Sequence, residues 1–93
     1  MIKHIVIFKV KEDSPLQEFK EKIENLKNFI PEIVSIEVGI DIKFDKNPSD
    51  FSIITILNSK EDLQIYANHP KHLEVIKFLK PYVIQRCVVD YEK

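Results

Sequence analysis

The chain has 93 residues, of which 44% are hydrophobic and 31% charged, and its formal net charge is −1. This length suits one domain over residues 1–93, and the balance of charges excludes the basic surface of a typical nucleic-acid binder. The sequence contains no run of about 18 apolar residues, so no membrane span is predicted. With one cysteine (Cys87) and three histidines, an internal disulfide and a closed cysteine-rich zinc site are excluded.

The first residues and the cysteine content predict a cytoplasmic protein. The chain enters an apolar alternating segment directly, without the charged and apolar regions of a signal peptide. A single unpaired cysteine is typical of a reducing compartment.

Hydrophobic spacing in the first half predicts a strand, a helix and a second strand. Residues 2–10 form the first strand. Ser14 is expected to cap the helix, with Gln17 completing a capping box, and Pro31 ends it. Residues 33–42 form the second strand, which a short polar linker separates from the third.

The second half predicts a strand, an interrupted helix and a last strand. The third strand covers residues 51–57. A helix begins at Ser59, is interrupted at His69-Pro70, and resumes until Pro81 ends it. Residues 83–91 form the last strand.

This order, βαββαβ, predicts an α+β protein with a ferredoxin-like sandwich, whose helices cover one face of an antiparallel sheet. The strands are nevertheless apolar on both faces: Ile5 and Ile7 of the first strand alternate with Val6 and Phe8. Since an uncovered apolar sheet face is larger than monomers usually expose, we expect a homodimer that pairs sheet to sheet. The alternative is a monomer with scattered apolar residues on its surface.

Four segments carry a family resemblance. They are Ile2-Lys3-His4-Ile5-Val6-Ile7-Phe8-Lys9, then Ile30-Pro31-Glu32-Ile33 before Glu37-Val38-Gly39-Ile40-Asp41, then Tyr66-Ala67-Asn68-His69-Pro70-Lys71-His72, and finally Val88-Val89-Asp90-Tyr91. Together they resemble the stress-responsive A/B barrel (Dabb) domain family over essentially the whole chain. The resemblance implies a dimeric α+β barrel. It does not imply one activity, because the family includes plant stress proteins and polyketide cyclases.

Four candidate catalytic residues follow from this resemblance. In cyclase-type members, the residues matching Tyr66 and His72 act as acid and base, and those matching His4 and Asp90 line or support the pocket. Because the first and last strands are neighbours in this topology, His4 and Asp90 are expected side by side. We expect Asp90 to hold His72, which would act as base, while Tyr66 donates to a carbonyl oxygen.

Two positions depart from the cyclase pattern. Ile23 stands where that type has a polar aromatic residue, and Phe51 stands where it has a histidine. We predict that both contact the ligand and make the pocket more apolar.

Structural interpretations remain open for every candidate. His69 suits a helix cap beside Pro70, and His72 suits a structural pair with Asp90. His4 and Tyr66 suit core positions. Neither a metal nor another cofactor is predicted, because no acidic residue is grouped with the histidines.

Three functions follow. The first is a binding or stress-related homodimer with an apolar pocket for a small organic molecule. The second is a cyclase- or isomerase-like enzyme that uses Tyr66 and His72 beside a carbonyl group. The third, suggested by related barrels alone, is a cofactor-free or haem-using monooxygenase. A ligand-sized cavity at Tyr66 and His72 would favour the enzyme, and a cavity filled by core side chains would favour a structural role.

Overall fold

A computed structural model describes residues 1–93 and has the predicted element order. The elements are β1 (Ile2–Val10), α1 (Leu16–Glu24), β2 (Ile33–Ile40), β3 (Phe51–Leu57), α2 (Lys60–Asn68), α3 (Pro70–Leu79) and β4 (Val83–Glu92), with 3-10 turns at Asn25–Asn28 and Lys80–Tyr82. None of the helices has the length and apolar character needed to cross a membrane.

The four strands form one antiparallel sheet in the order β2-β3-β1-β4. This arrangement confirms the ferredoxin-like prediction and places β1 between β3 and β4. The register sets His4 opposite Thr55 on one side and opposite Asp90 on the other. Three polar side chains therefore lie in one row across the sheet.

The element ends differ from the predictions at several places. Helix α1 was expected to continue to Pro31, but it ends at Glu24 and a 3-10 turn covers Asn25–Asn28. The capping box was wrong, because the Ser14 hydroxyl donates to the Lys11 carbonyl at 2.6 Å and α1 has no side-chain cap. Strand β2 ends two residues early, and the chain then passes through Lys43 at a φ of 57°. The Ser59 cap is confirmed, since its side chain accepts from the Asp62 amide at 3.1 Å.

The helices cover one face of the sheet. Val6, Phe8 and Val10 of β1 are buried there, together with Phe19 and Ile23 of α1. A second buried cluster lies toward the other end of this face: Leu26, Ile30, Ile33, Leu57 and Tyr66. The covered face therefore contains the whole core.

The opposite face of the sheet is apolar and has no helix over it. Ile7 is 41% exposed, and its neighbours on β4, Cys87 and Val89, are exposed as well. Tyr91 on the same side of β4 is 43% exposed. The predicted second apolar face is therefore present.

Candidate functional site

A cavity of about 280 Å³ opens between the sheet and the two helices α2 and α3. Its walls are largely apolar, formed by Val6, Phe8, Ile23, Leu26, Ile53, Val75, Ile76, Leu79 and Val83. Five polar side chains interrupt them: His4, Tyr66, His72, Lys80 and Arg86. Ligand pockets typically start at about 300 Å³, so this cavity suits a small organic molecule. Core side chains do not fill it.

The break between α2 and α3 fixes one corner of the cavity. His69 ends α2 in an extended conformation with ψ of 135°, and Pro70 begins α3. The His69 side chain accepts from the Lys71 amide at 3.1 Å, so it caps α3. Its ring does not line the cavity. The helix-cap interpretation of His69 is confirmed.

The same break orients His72. Because α2 stops at Asn68, the carbonyl of Ala67 near its end has no helical amide to accept from. His72 Nδ1 lies 3.0 Å from this oxygen. A carbonyl oxygen only accepts, so Nδ1 carries the proton and Nε2 keeps its lone pair. Burial lowers the pKa of His72 below its ordinary value of 6.5. The hydrogen bond to the Ala67 carbonyl raises this pKa to a smaller extent, and the charge of Arg86 lowers it further. His72 is therefore a neutral base at pH 7.

Tyr66 lies beside this base. Its ring centroid is 4.4 Å from that of His72 and 6.0 Å from that of His4, and the residue is 2% exposed. Burial raises the pKa of the Tyr66 hydroxyl above 10.0, and Thr55 and Arg86 lower it to a smaller extent. The phenol accordingly stays protonated and available as a donor.

Asp90 pairs with a different histidine from the one predicted. Its carboxylate is bonded to His4 Nδ1 across the β1–β4 register. The expected pair of Asp90 with His72 was wrong, because the α2 terminus supplies His72 with the Ala67 carbonyl. His4 lines the cavity and Asp90 does not, so Asp90 lies behind His4.

Comparison with known proteins identifies the family. The model of the Stress responsive A/B Barrel Domain, Dabb, matches residues 2–93. The chain belongs to the Dabb family. A stress-response A/B barrel domain-containing protein of Arabidopsis thaliana is 30% identical over 80 residues. This match covers 83% of the chain, and the chain spans only 30% of the length of that plant protein.

Solved structures share the fold of this Dabb domain. A dimeric ferredoxin-like protein from Bacteroides fragilis is 34% identical, with a TM-score of 0.87 over 99% of this chain and 95% of that one. The hydroxynitrile lyase of Passiflora edulis is 22% identical, with a TM-score of 0.84 over 97% of this chain and 90% of that one. The similarity to the hydroxynitrile lyase shows only that the two proteins share a fold.

The two predicted ligand contacts of the Dabb domain occupy different places. Ile23 lines the cavity. Phe51 does not; it is buried and stacks on Phe8 with ring centroids 4.8 Å apart and planes 18° apart. Phe8 itself lines the cavity, so Phe51 supports the wall from behind.

Sequence reasoning assigned no role in the site to Arg86, Lys80 and Thr55. Arg86 and Lys80 are exposed residues that line the cavity. The parity of β4 gave a usable indication, because Arg86 is two and four residues from Val88 and Asp90 on the covered side. Thr55 is fully buried, and its hydroxyl has no partner in hydrogen-bond geometry although it lies close enough to affect Tyr66.

Proposed function

We propose that this Dabb domain binds a small, largely apolar carbonyl compound in its cavity and moves a proton on the carbon beside the carbonyl. The observation that carries the proposal is that Tyr66 and His72 line one apolar cavity with ring centroids 4.4 Å apart. A buried phenol and a neutral imidazole are a donor and a base that both function near pH 7.

The proton transfer assigns one task to each side chain. His72 Nε2 accepts a proton from the carbon next to the carbonyl, and the C–H electron pair forms the carbon–carbon double bond of an enolate. The carbonyl electron pair moves onto oxygen, where the Tyr66 hydroxyl stabilises the charge by a hydrogen bond. Return of the proton from Nε2 to the opposite face, or to a conjugated carbon of the enolate, completes an isomerisation. Attack of the enolate on a second carbonyl would close a ring, and the new alkoxide would take the proton from Nε2.

His4 has a supporting role in this proposal. Its Nδ1 is held by Asp90, so the ring has one orientation and Nε2 is left free. The fold accommodates catalysis in at least one neighbour, the hydroxynitrile lyase of Passiflora edulis. The Arabidopsis thaliana relative is longer than this chain, and the match covers only 30% of it.

Hydrogen exchange on acetophenone tests the proposal. The protein is incubated with acetophenone in heavy water at neutral pH, and loss of the methyl proton signal is followed by NMR. We expect the protein to accelerate this exchange. Tyr66→Phe should slow it about 100-fold, because a single donor to a developing oxyanion typically contributes that much. His72→Asn, which keeps an N–H donor for Ala67 but has no base, should slow it by at least as much.

Tyr82→Phe is the matched control. Tyr82 packs against Phe19 with ring centroids 5.4 Å apart and does not line the cavity, so removing its hydroxyl should leave exchange unchanged. Binding of acetophenone at the cavity without accelerated exchange would rule out the acid–base part and leave a binding protein.

We also propose that the chain forms a homodimer through the uncovered face of its sheet. The exposed apolar residues Ile7, Val89 and Tyr91 lie on that face, and the Bacteroides fragilis neighbour is dimeric. Burying such a face against a second copy removes apolar surface from water without any further cover.

Sedimentation at micromolar concentration measures the dimer. We expect a species of twice the chain mass of 11.0 kDa, and Ile7→Glu should convert it to a single chain because the dimer would bury the new charge on the uncovered face. Ile65→Glu, on an exposed position of α2, is the matched control and should remain dimeric. A wild-type protein that sediments as one chain would contradict the proposal.

A further inference from the structure

The cavity has two cations and no carboxylate among its lining residues. Arg86 and Lys80 both line it, and neither makes a salt bridge or a side-chain hydrogen bond. Two carboxylates lie on the same side of β4: Asp90 is bonded to His4, and Glu92 stands opposite Ile2 and does not line the cavity. The positive charge of the cavity is therefore not neutralised by the protein.

The backbone of Arg86 lies apart from the row of His4 along the sheet. The register sets Arg86 opposite Phe8, whereas Asp90 stands opposite His4. The two rows are four residue steps apart along the strand, a distance of about 14 Å between backbone positions. Lys80 lies in the turn that follows α3, just before β4 begins.

The wall between the two groups is apolar. Val6 lies between the His4 row and the Phe8 row on β1, and Ile53 pairs with it from β3. Neither offers a polar atom in its side chain. A ligand that fills the cavity would therefore have an apolar middle, a polar group at Tyr66 and His72, and a second polar group at Arg86.

We propose that the ligand is a keto acid, with its ketone at Tyr66 and His72, its apolar chain or ring against Val6 and Ile53, and its carboxylate bound by Arg86 and Lys80. The inference rests on the proposed function, to which it adds the charge of the ligand. A guanidinium donates two parallel hydrogen bonds to a carboxylate, and an ammonium adds a second positive charge.

The charge of Arg86 also reaches the other end of the cavity. It lowers the pKa of both Tyr66 and His72, although less than burial shifts either group. A bound carboxylate would neutralise this charge. Ligand binding would then leave His72 a stronger base than it is in the empty cavity.

A matched pair of ligands tests the inference on the wild-type protein. Para-acetylbenzoate and para-acetylbenzamide share the acetyl group and the ring, and differ in whether the far end is an anion or a neutral amide. Their dissociation constants are measured by NMR titration of the protein amides at low salt. We expect the acid to bind about fivefold more tightly than the amide, as partly exposed ion pairs allow, and this preference should shrink at high salt.

Variants then assign the preference to its residues. Arg86→Gln should abolish most of the preference, Arg86→Lys should keep part of it, and Lys80→Gln should reduce it. Lys77→Gln removes the same unit charge from α3 outside the cavity and should leave the preference intact.

The outcomes separate this inference from the proposed function. Equal affinities for acid and amide, or a preference unaffected by Arg86→Gln, would overturn the keto-acid inference while leaving proton exchange on acetophenone untouched. Preferential binding of the acid without exchange of its methyl protons would support the anion site and overturn the chemistry. Failure of both ligands to bind at the cavity would overturn both.

Discussion

The two ends of the covered sheet face are built from the same strands and have opposite character. At the α1 end, Phe19 packs against Phe51, Phe78 and Tyr82 with ring centroids between 5.4 and 5.8 Å apart. At the α2–α3 end, the same sheet carries His4 and Thr55, and the helices contribute Tyr66 and His72. Aromatic contacts close the α1 end, and the cavity lies beside them, from the row of Phe8 to the row of His4.

The difference shows how a small domain divides its tasks. Buried polar groups are costly even when they are partly hydrogen-bonded, and the cavity end buries the hydroxyl groups of Thr55 and Tyr66. Interlocking rings at the other end bury large apolar areas without any polar cost. We infer that the α1 end contributes more to the stability of the fold than the cavity end does.

Phe19→Ala should cause the largest loss of stability. Phe19 is fully buried at the centre of the ring cluster, and removing such a side chain typically costs about 3–5 kcal/mol. The free energy of unfolding is measured by urea titration. Phe29→Ala is the matched control, since Phe29 is 47% exposed and should cost far less. Similar losses in the two variants would contradict a stabilising role for the ring cluster.

Asp90→Asn should have an intermediate effect, seen mainly in the proposed proton exchange. The amide cannot hold His4 Nδ1–H as the carboxylate does, so the ring loses its fixed orientation at the cavity wall. We expect acetophenone exchange to slow about tenfold, with a changed pH profile and little change in stability, since Asp90 is partly exposed. Glu92→Gln removes a charge two residues along β4 and should do neither.

An unchanged pH profile in Asp90→Asn, with exchange slowed only in proportion to lost folded protein, would mean that Asp90 has a structural role alone. That result would remove His4 from the proposed site and leave it as a structural residue of the sheet.

The fold was predictable because local signals agreed with each other. Pro70 marks the start of α3, and the apolar residues of β1 and β3 predicted the bounds of both strands. Element order then restricts the topology to a ferredoxin-like sheet, and the register of β1 with β4 makes His4 and Asp90 neighbours. Each of these steps depends on short-range or pairwise rules.

The contacts of the site residues were harder to predict, because they depend on which groups lie close together in the folded chain. The sequence predicts Asp90 as the partner of His72, whereas His72 contacts the Ala67 carbonyl that the end of α2 leaves free. Phe51 sits on the covered face, but whether it reaches the cavity depends on Phe8, which stacks over it. Spacing assigns a side chain to a face, whereas its contacts depend on its neighbours' rotamers.

The smallest expected effect is a pH dependence of stability that comes from His72. Burial lowers the pKa of His72 in the folded state below 6.5, so the unfolded chain binds a proton more readily. Above pH 6.5 His72 is neutral in both the folded and the unfolded chain, so it does not reduce the free energy of unfolding. As the pH falls toward the folded-state pKa, the unfolded chain takes up the proton first, and the free energy of unfolding decreases. In His72→Asn, which does not titrate, the unfolding free energy should fall less between about pH 7.5 and 5.5. We expect the two proteins to differ by less than about 1 kcal/mol in this fall. Identical pH dependence in urea titrations would mean that His72 is as well solvated as a surface histidine, and the contrast between the two ends would then rest on Tyr66 and Thr55 alone.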